Sequence, residues 1–239
     1  MGKVVSFEAL EGQPVGGGAT KAPITGPEAR EMQAELIRLA PGASLADALP
    51  AGSDGYLFAL TGAVQIEDGD SAHALPQDGF AGLEGGHGYT LTNAGDQAAV
   101  LIRVLAPAPG GRAGLAGLSG VSVATAAGRE VVHVPEQKKK RIYFAGKSAG
   151  GTERGHAMIV MYERDTVTDM HQHPNADSLF VMLDGRVRFT VNGADHELER
   201  GQAAYFPAGD RHGLRAAPGT ERASFLEFHI PGAFTTIKG

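Results

Sequence analysis

At 239 residues the chain can hold one large domain or two of about 100 residues, either able to bury a core. Its 42% hydrophobic and 20% charged content excludes wholesale disorder, and a net charge of −6 gives a nucleic-acid partner no electrostatic support. With no cysteine there are no disulfides, thiolate ligands or cysteine nucleophiles, as fits a reducing compartment.

Thirty-five glycines without a G-x-y period predict tight turns between short strands, hence an all-β protein. No apolar run approaches the ~20 residues of a membrane helix, and no apolar core follows basic residues as in a secretory signal. The expectation is a cytoplasmic protein with no membrane partner. Met1–Ser6 fits the loose N-myristoylation pattern, a six-residue match of the kind chance supplies.

Residues 1–30 read as an N-terminal arm. Lys3–Leu10 has strand character, and Gly16-Gly17-Gly18 is a turn, since it lacks the lysine and helix of a phosphate-binding loop. From Pro27 to Leu39 the composition is helical, but an internal repeat favours a strand over 32–39. Strand-like runs follow at Tyr56–Leu60, Ala63–Ile66, Tyr89–Thr92 and Ala99–Leu105, and turn residues separate them. These define a first domain over 31–106. Residues 107–140 read as a linker whose basic run, Lys138-Lys139-Lys140-Arg141, is expected in a solvated turn. A second domain over 141–239 carries strands at His156–Tyr162, Ser178–Leu183, Arg186–Val191, Ala203–Phe206 and Ala223–Ile230.

The two domains look like copies. Gly62–His73 lies over Gly185–His196 without a gap, and Glu35–Leu39 over Met158–Tyr162. One residue of slippage then brings Gly79 onto Gly201 and Thr90 onto His212. A repeat of this length predicts two β-domains related by pseudo-symmetry.

The sharpest chemical signal is Met170-His171-Gln172-His173. On a strand, His171 and His173 share a face, and His212 follows in Pro207-Ala208-Gly209-Asp210-Arg211-His212. Two imidazoles on one face plus a third from elsewhere can bind a divalent metal.

These residues resemble a known family. His171-x-His173-x4-Ser178-x6-Gly185 is similar to the first cupin motif, HxH followed by a Glu and a Gly. Gly201-x5-Pro207-x-Gly209-x2-His212 matches the second motif except at its final Asn, where Ala216 stands. Through the repeat the resemblance extends to both halves, so the chain resembles bicupins: two double-stranded β-helix (jelly-roll) barrels. The resemblance implies a metal inside the second barrel on His171, His173 and His212, with Ser178 replacing the ligand Glu. Asp177 stands beside it and needs a local bulge to turn inward. In the first half Pro41–Pro50 holds no histidine, Thr90 takes the motif-two position and His87 is isolated, which implies a metal-free barrel. A homodimer is implied as well, with Lys3–Leu10 a candidate exchanged strand.

By register Ser178, Phe180 and Met182 face the cavity, Ser178 as a candidate catalytic hydroxyl and the others as substrate-pocket residues. Phe225, Glu227 and His229 share one face of the last strand, with solvent the expected destination of the Glu227/His229 pair. The expected cofactor is one divalent transition metal, iron favoured, with Zn, Ni, Mn or Cu compatible. The expected substrate is a small organic molecule, anionic or oxygen-chelating, and the expected reaction a dioxygenase-type oxidation. Alternatives are isomerase, lyase or hydrolase chemistry, or a non-catalytic small-molecule-binding or structural bicupin. Ureidoglycine aminohydrolases share the layout, but their ligand pattern is not reproduced here. Because imidazoles bind metal only when neutral, metal affinity should fall below about pH 6.5, and retention at pH 4.5 would point to carboxylate ligation by Asp177.

Overall fold

The computed structural model describes residues 1–107, 120–149 and 151–239. Alternation along the strands sorts the apolar residues into three separate cores, and this sorting defines the architecture.

In the second half one seven-stranded sheet runs in the order Lys3–Ser6, Gln202–Phe206, Asp177–Asp184, Arg222–Ile230, His156–Glu163, Lys139–Ala145 and Val132–Val134. Across from it lies a five-stranded sheet: Ala194–Leu198, Val187–Val191, His212–Ala216, Val167–Gln172 and Ile237–Lys238. The first half repeats the plan with the seven strands Val121–Thr125, Gly79–Glu84, Asp54–Thr61, Ala99–Ala106, Gln33–Leu39, Ala19–Pro23 and Gln13–Gly16. Its smaller sheet is Ser44–Ala48, Gly88–Thr92, Val64–Asp68 and Ser71–Leu75. The chain is therefore all-β, built as two double-stranded β-helix barrels.

The large sheets pack face to face. Leu36, Tyr56, Phe58, Phe80 and Ile102 from the first meet Phe144, Leu179, Val181 and Phe228 from the second, all buried. Phe80 stacks on Phe144 at 4.9 Å between centroids, and truncating such an aromatic costs about 3–5 kcal/mol. Residues of opposite parity fill the barrels: Leu57, Ile66 and Leu91 in the first, Phe180, Phe189 and Phe225 in the second. A buried polar tie joins the halves, with the fully buried Asp54 accepting from Arg154 Nη1 at 2.9 Å and Thr152 Oγ1 at 2.8 Å. A turn glycine recurs in both halves, at Gly62 and Gly185, with φ of 70° and 65°. A Cβ on Gly185 would lie 2.3 Å from the Arg222 carbonyl oxygen, so only glycine fits the turn.

The strand expected over 32–39 forms at Gln33–Leu39. Of the stretch expected to be linker, 108–119 lie outside the described residues, and Val121–Thr125 extends the first barrel by pairing with Gly79–Glu84. Its end departs from the solvated turn expected there. Lys139 begins a strand paired with His156–Glu163 and is buried, because alternation turns Lys139 and Arg141 toward the barrel while Ile142 and Phe144 enter the inter-barrel core. The N-terminal strand Lys3–Ser6 crosses to the second barrel of its own chain, adding to Gln202–Phe206.

The register of the repeat also needs correction. Leu91 pairs with Ile66 as Leu214 pairs with Phe189, and Phe58 with Phe80 as Val181 with Ala203. The ungapped displacement therefore holds through these strands without slippage. The residue equivalent to His212 is Tyr89, which points inward, and Thr90 faces the other way.

Candidate metal centre

His171 pairs directly with His212 across two antiparallel strands, and His173 follows two residues beyond His171. Ring centroids lie 4.3 Å apart for His171–His212, 5.0 Å for His171–His173 and 5.4 Å for His173–His212. One nitrogen from each ring lies within 4.8 Å of the others, so the three can hold a metal ion.

Each Nδ1 is committed to a main-chain carbonyl: His171 to Asp169 at 2.8 Å, His173 to Thr235 at 3.0 Å and His212 to Asp210 at 3.1 Å. A carbonyl only accepts, so each Nδ1 carries the proton and each Nε2 keeps its lone pair. His212 Nε2 is buried without a hydrogen-bond partner. An orphaned buried acceptor costs about 1–3 kcal/mol, and a cation on that lone pair removes the cost. The donor set therefore fits a divalent transition metal.

Burial, with His229 nearby, pushes His173 down to about 4 and His212 well below its ordinary range. Desolvation thus favours the neutral, ligating form of both rings.

Asp177 is not a ligand of this centre. Its strand runs in regular register, Asp177 against Ile230 and Ser178 against His229, so no bulge turns it inward. It is fully buried on the face away from the barrel interior. There Oδ2 accepts from the N–H groups of Arg30, Glu31 and Met32 at 2.8–3.1 Å, and Oδ1 from Ala208 N–H at 2.8 Å. It anchors the turn that carries His212 and the segment that leads into Gln33–Leu39.

Ser178 lies inside the barrel with Oγ 2.9 Å from His229 Nδ1, and His229 Nε2 is 2.6 Å from Glu227 Oε1. The Glu227/His229 pair thus faces inward, contrary to expectation. Its strand is covered on both sides, by the other barrel against Leu226 and Phe228 and by the cavity against Phe225, Glu227 and His229. Burial pushes the Glu227 carboxyl up and His229 down to about 3.

A pocket of about 470 Å³ opens on the centre, walled by His171, His173, Phe180, Glu227, His229 and Phe234. Phe180 lines it, whereas Met182 is fully buried in the barrel core behind it. Sequence reasoning passed over Phe234, whose ring lies 4.1 Å from His229 and 4.9 Å from His173. It sits beyond Pro231, where no periodicity marks it. Asn175 holds that segment in place by donating to Ala233 O at 3.1 Å and accepting from Thr235 N–H at 2.9 Å. His156, 5.9 Å from His229 and pushed down to about 4 by burial, was passed over too.

The first barrel fills the corresponding place differently. Asp47 pairs with Tyr89 as His171 pairs with His212. The Asp47 carboxylate accepts from Arg103 Nη1 at 2.5 Å and from Lys21, and Arg103 Nη2 lies 2.8 Å from Glu35. A salt-bridged cluster stands where the second barrel has its histidines.

Residues 158–229 match the family model described as Cupin domain. Among curated proteins none matches the chain. A putative glyoxylate-induced protein from Pseudomonas aeruginosa is 17% identical over 97% of this chain and 89% of its own, with a TM-score of 0.78. Protein Ylba from E. coli is 12% identical over 97% and 91%, with a TM-score of 0.75. A mutant of Bacillus subtilis oxalate decarboxylase is 13% identical over 98% and 78%, with a TM-score of 0.69. Residues 158–229 thus match a cupin domain in the second barrel, and the whole-chain similarity to these structures gives the chain a bicupin fold.

Proposed function

We propose that this bicupin is a metal-dependent enzyme acting on a small anionic or oxygen-chelating organic substrate, with oxidation by dioxygen the favoured reaction. The observation behind this reading is the convergence of three imidazoles, each locked with its Nε2 lone pair free, on a pocket of small-molecule size. A divalent transition ion there, iron favoured and Zn, Ni, Mn or Cu compatible, would supply Lewis-acid polarisation and, if redox-active, a meeting place for substrate and dioxygen. With neutral ligands alone, the site favours substrates that bring their own negative charge.

Glu227 is the group placed to take or give a proton in the pocket. His229 orients it through Nε2, and Ser178 holds His229 from behind through Nδ1. Ser178, expected as a catalytic hydroxyl, thus acts in this reading as a positioning residue. Phe180 and Phe234 line the pocket with apolar surface that keeps water from the reacting atoms.

The buried Glu227–His229 pair favours a second reading, proton-transfer chemistry without dioxygen, such as isomerase, lyase or hydrolase action. The decarboxylation named for the Bacillus subtilis neighbour belongs to the same group. The test is an assay of metal-reconstituted protein against diketones, catechols and small carboxylates, with and without air. Dioxygen uptake matching substrate loss supports oxidation, and undiminished turnover without air supports the second reading. No turnover with any reconstituted metal overturns both.

A further inference from the structure

The metal centre and Glu227 account for one side of the pocket. Further polar groups come from the Lys139–Ala145 strand, where Lys139, Arg141 and Tyr143 face inward, and Asp169, Thr236 and Lys238 add to the same wall. Arg141 Nη2 donates to Gln137 Oε1 at 3.2 Å, and Arg141 Nε is buried with no partner. Lys139 donates to the Thr168 hydroxyl and sits over the Tyr162 ring at 5.3 Å. Among the described residues no acidic side chain forms an ion pair with either. Glu227 and Asp169 line the same pocket beyond ion-pair distance of both cations, so an anion that enters it adds the direct contact that Arg141 Nε lacks.

The first barrel shows where that anion belongs. Lys21 pairs with Ile37 as Arg141 pairs with Val160, so the two cations occupy equivalent positions. Ile37 in turn faces Leu101 as Val160 faces Phe225. Lys21 is neutralised by the carboxylates of Asp47 and Glu35, and Asp47 stands at the strand position of His171. A carboxylate beside His171 is thus within reach of a cation at the Arg141 position. The first barrel supplies that carboxylate from its own chain, whereas among the described residues of the second no carboxylate pairs directly with Arg141.

We infer that Arg141, supported by Lys139, binds a carboxylate of the substrate. The substrate class is then a small organic acid whose carboxylate meets Arg141 while a second oxygen group reaches the three histidines. This rests on the metal-centre reading, and the experiment separates the two.

Full-length protein loaded with zinc is titrated calorimetrically with the diacids malonate to adipate, each against the mono-acid of equal carbon count. Metal content is measured in parallel. In wild-type protein at least one diacid should bind about tenfold or more tighter than its mono-acid, the scale of one charge-assisted pair. Arg141→Met should abolish that preference, and Arg141→Lys should restore part of it. The inference is overturned if no diacid is preferred, or if the preference survives Arg141→Met. Should Arg141→Met fail to fold, the wild-type series still decides. An Arg141-dependent preference in protein that takes up no zinc would uphold the anion site and overturn the metal reading.

Discussion

Replacing Asp177 with asparagine tests whether this residue is an anchor or a metal ligand. Four main-chain N–H groups point at its two oxygens, three at Oδ2 and one at Oδ1. In the better of its two orientations an asparagine offers its oxygen to Arg30, Glu31 and Met32 and turns its NH₂ against the Ala208 N–H. One buried donor is then unsatisfied and faces another donor, at about 1–3 kcal/mol, and the remaining three bonds lose their charge-assisted part. The total is about 2–4 kcal/mol. Urea denaturation at neutral pH should show it as a lower midpoint with an unchanged slope. Metal content of the folded variant at saturating metal should stay near that of wild type, because Asp177 faces away from the histidines. A variant as stable as wild type to within about 0.5 kcal/mol would refute the anchoring role. A well-folded Asp177→Asn protein that has lost its metal would make Asp177 a ligand.

Metal-free protein should lose stability as pH falls from about 6.5 toward 4. Burial holds His173 and His156 near 4 and His229 near 3, so the unfolded chain, with histidines near 6.5, binds more protons throughout that window. Each histidine then costs up to ~1.4 kcal/mol per pH unit, offset in the lower part of the window by Glu227, whose raised carboxyl binds a proton earlier in the fold. Urea midpoints that stay flat between pH 7 and 4.5 would contradict this. Glu227→Gln keeps a hydrogen-bond partner for His229 but carries no exchangeable acid. It should lower turnover of a substrate found in the panel assay about 10²–10⁴-fold without lowering metal content, and activity within a few-fold of wild type would remove Glu227 from the chemistry.

The histidine triad was legible because strand alternation and the spacing of Pro207, Gly209 and His212 are local properties of the chain. The orientation of Ser178 and Phe180 followed from the same parity. Glu227 and His229 were misread because their strand is buried on both faces. Phe225 on one side and Leu226 and Phe228 on the other were signs of this, but alternation alone does not say which face meets the barrel. Arg141 was hidden in a basic run whose solvated reading ignored the strand that begins at Lys139. Matching Gly79 to Gly201 introduced a slip that the strand pairing does not have, and this put Thr90 where Tyr89 stands. Phe234 and Thr235 reach the centre through an irregular segment fixed by Asn175, a tertiary contact with no periodic trace.

The central claim is that His171, His173 and His212 together hold one metal ion. Elemental analysis of protein equilibrated with iron or zinc and then freed of loose metal tests it most directly. About one ion per chain in wild type, lost in a folded His212→Ala variant, is the result predicted from three converging donors. Wild-type protein that cannot be loaded, or a His212→Ala protein that keeps its full complement, would contradict it.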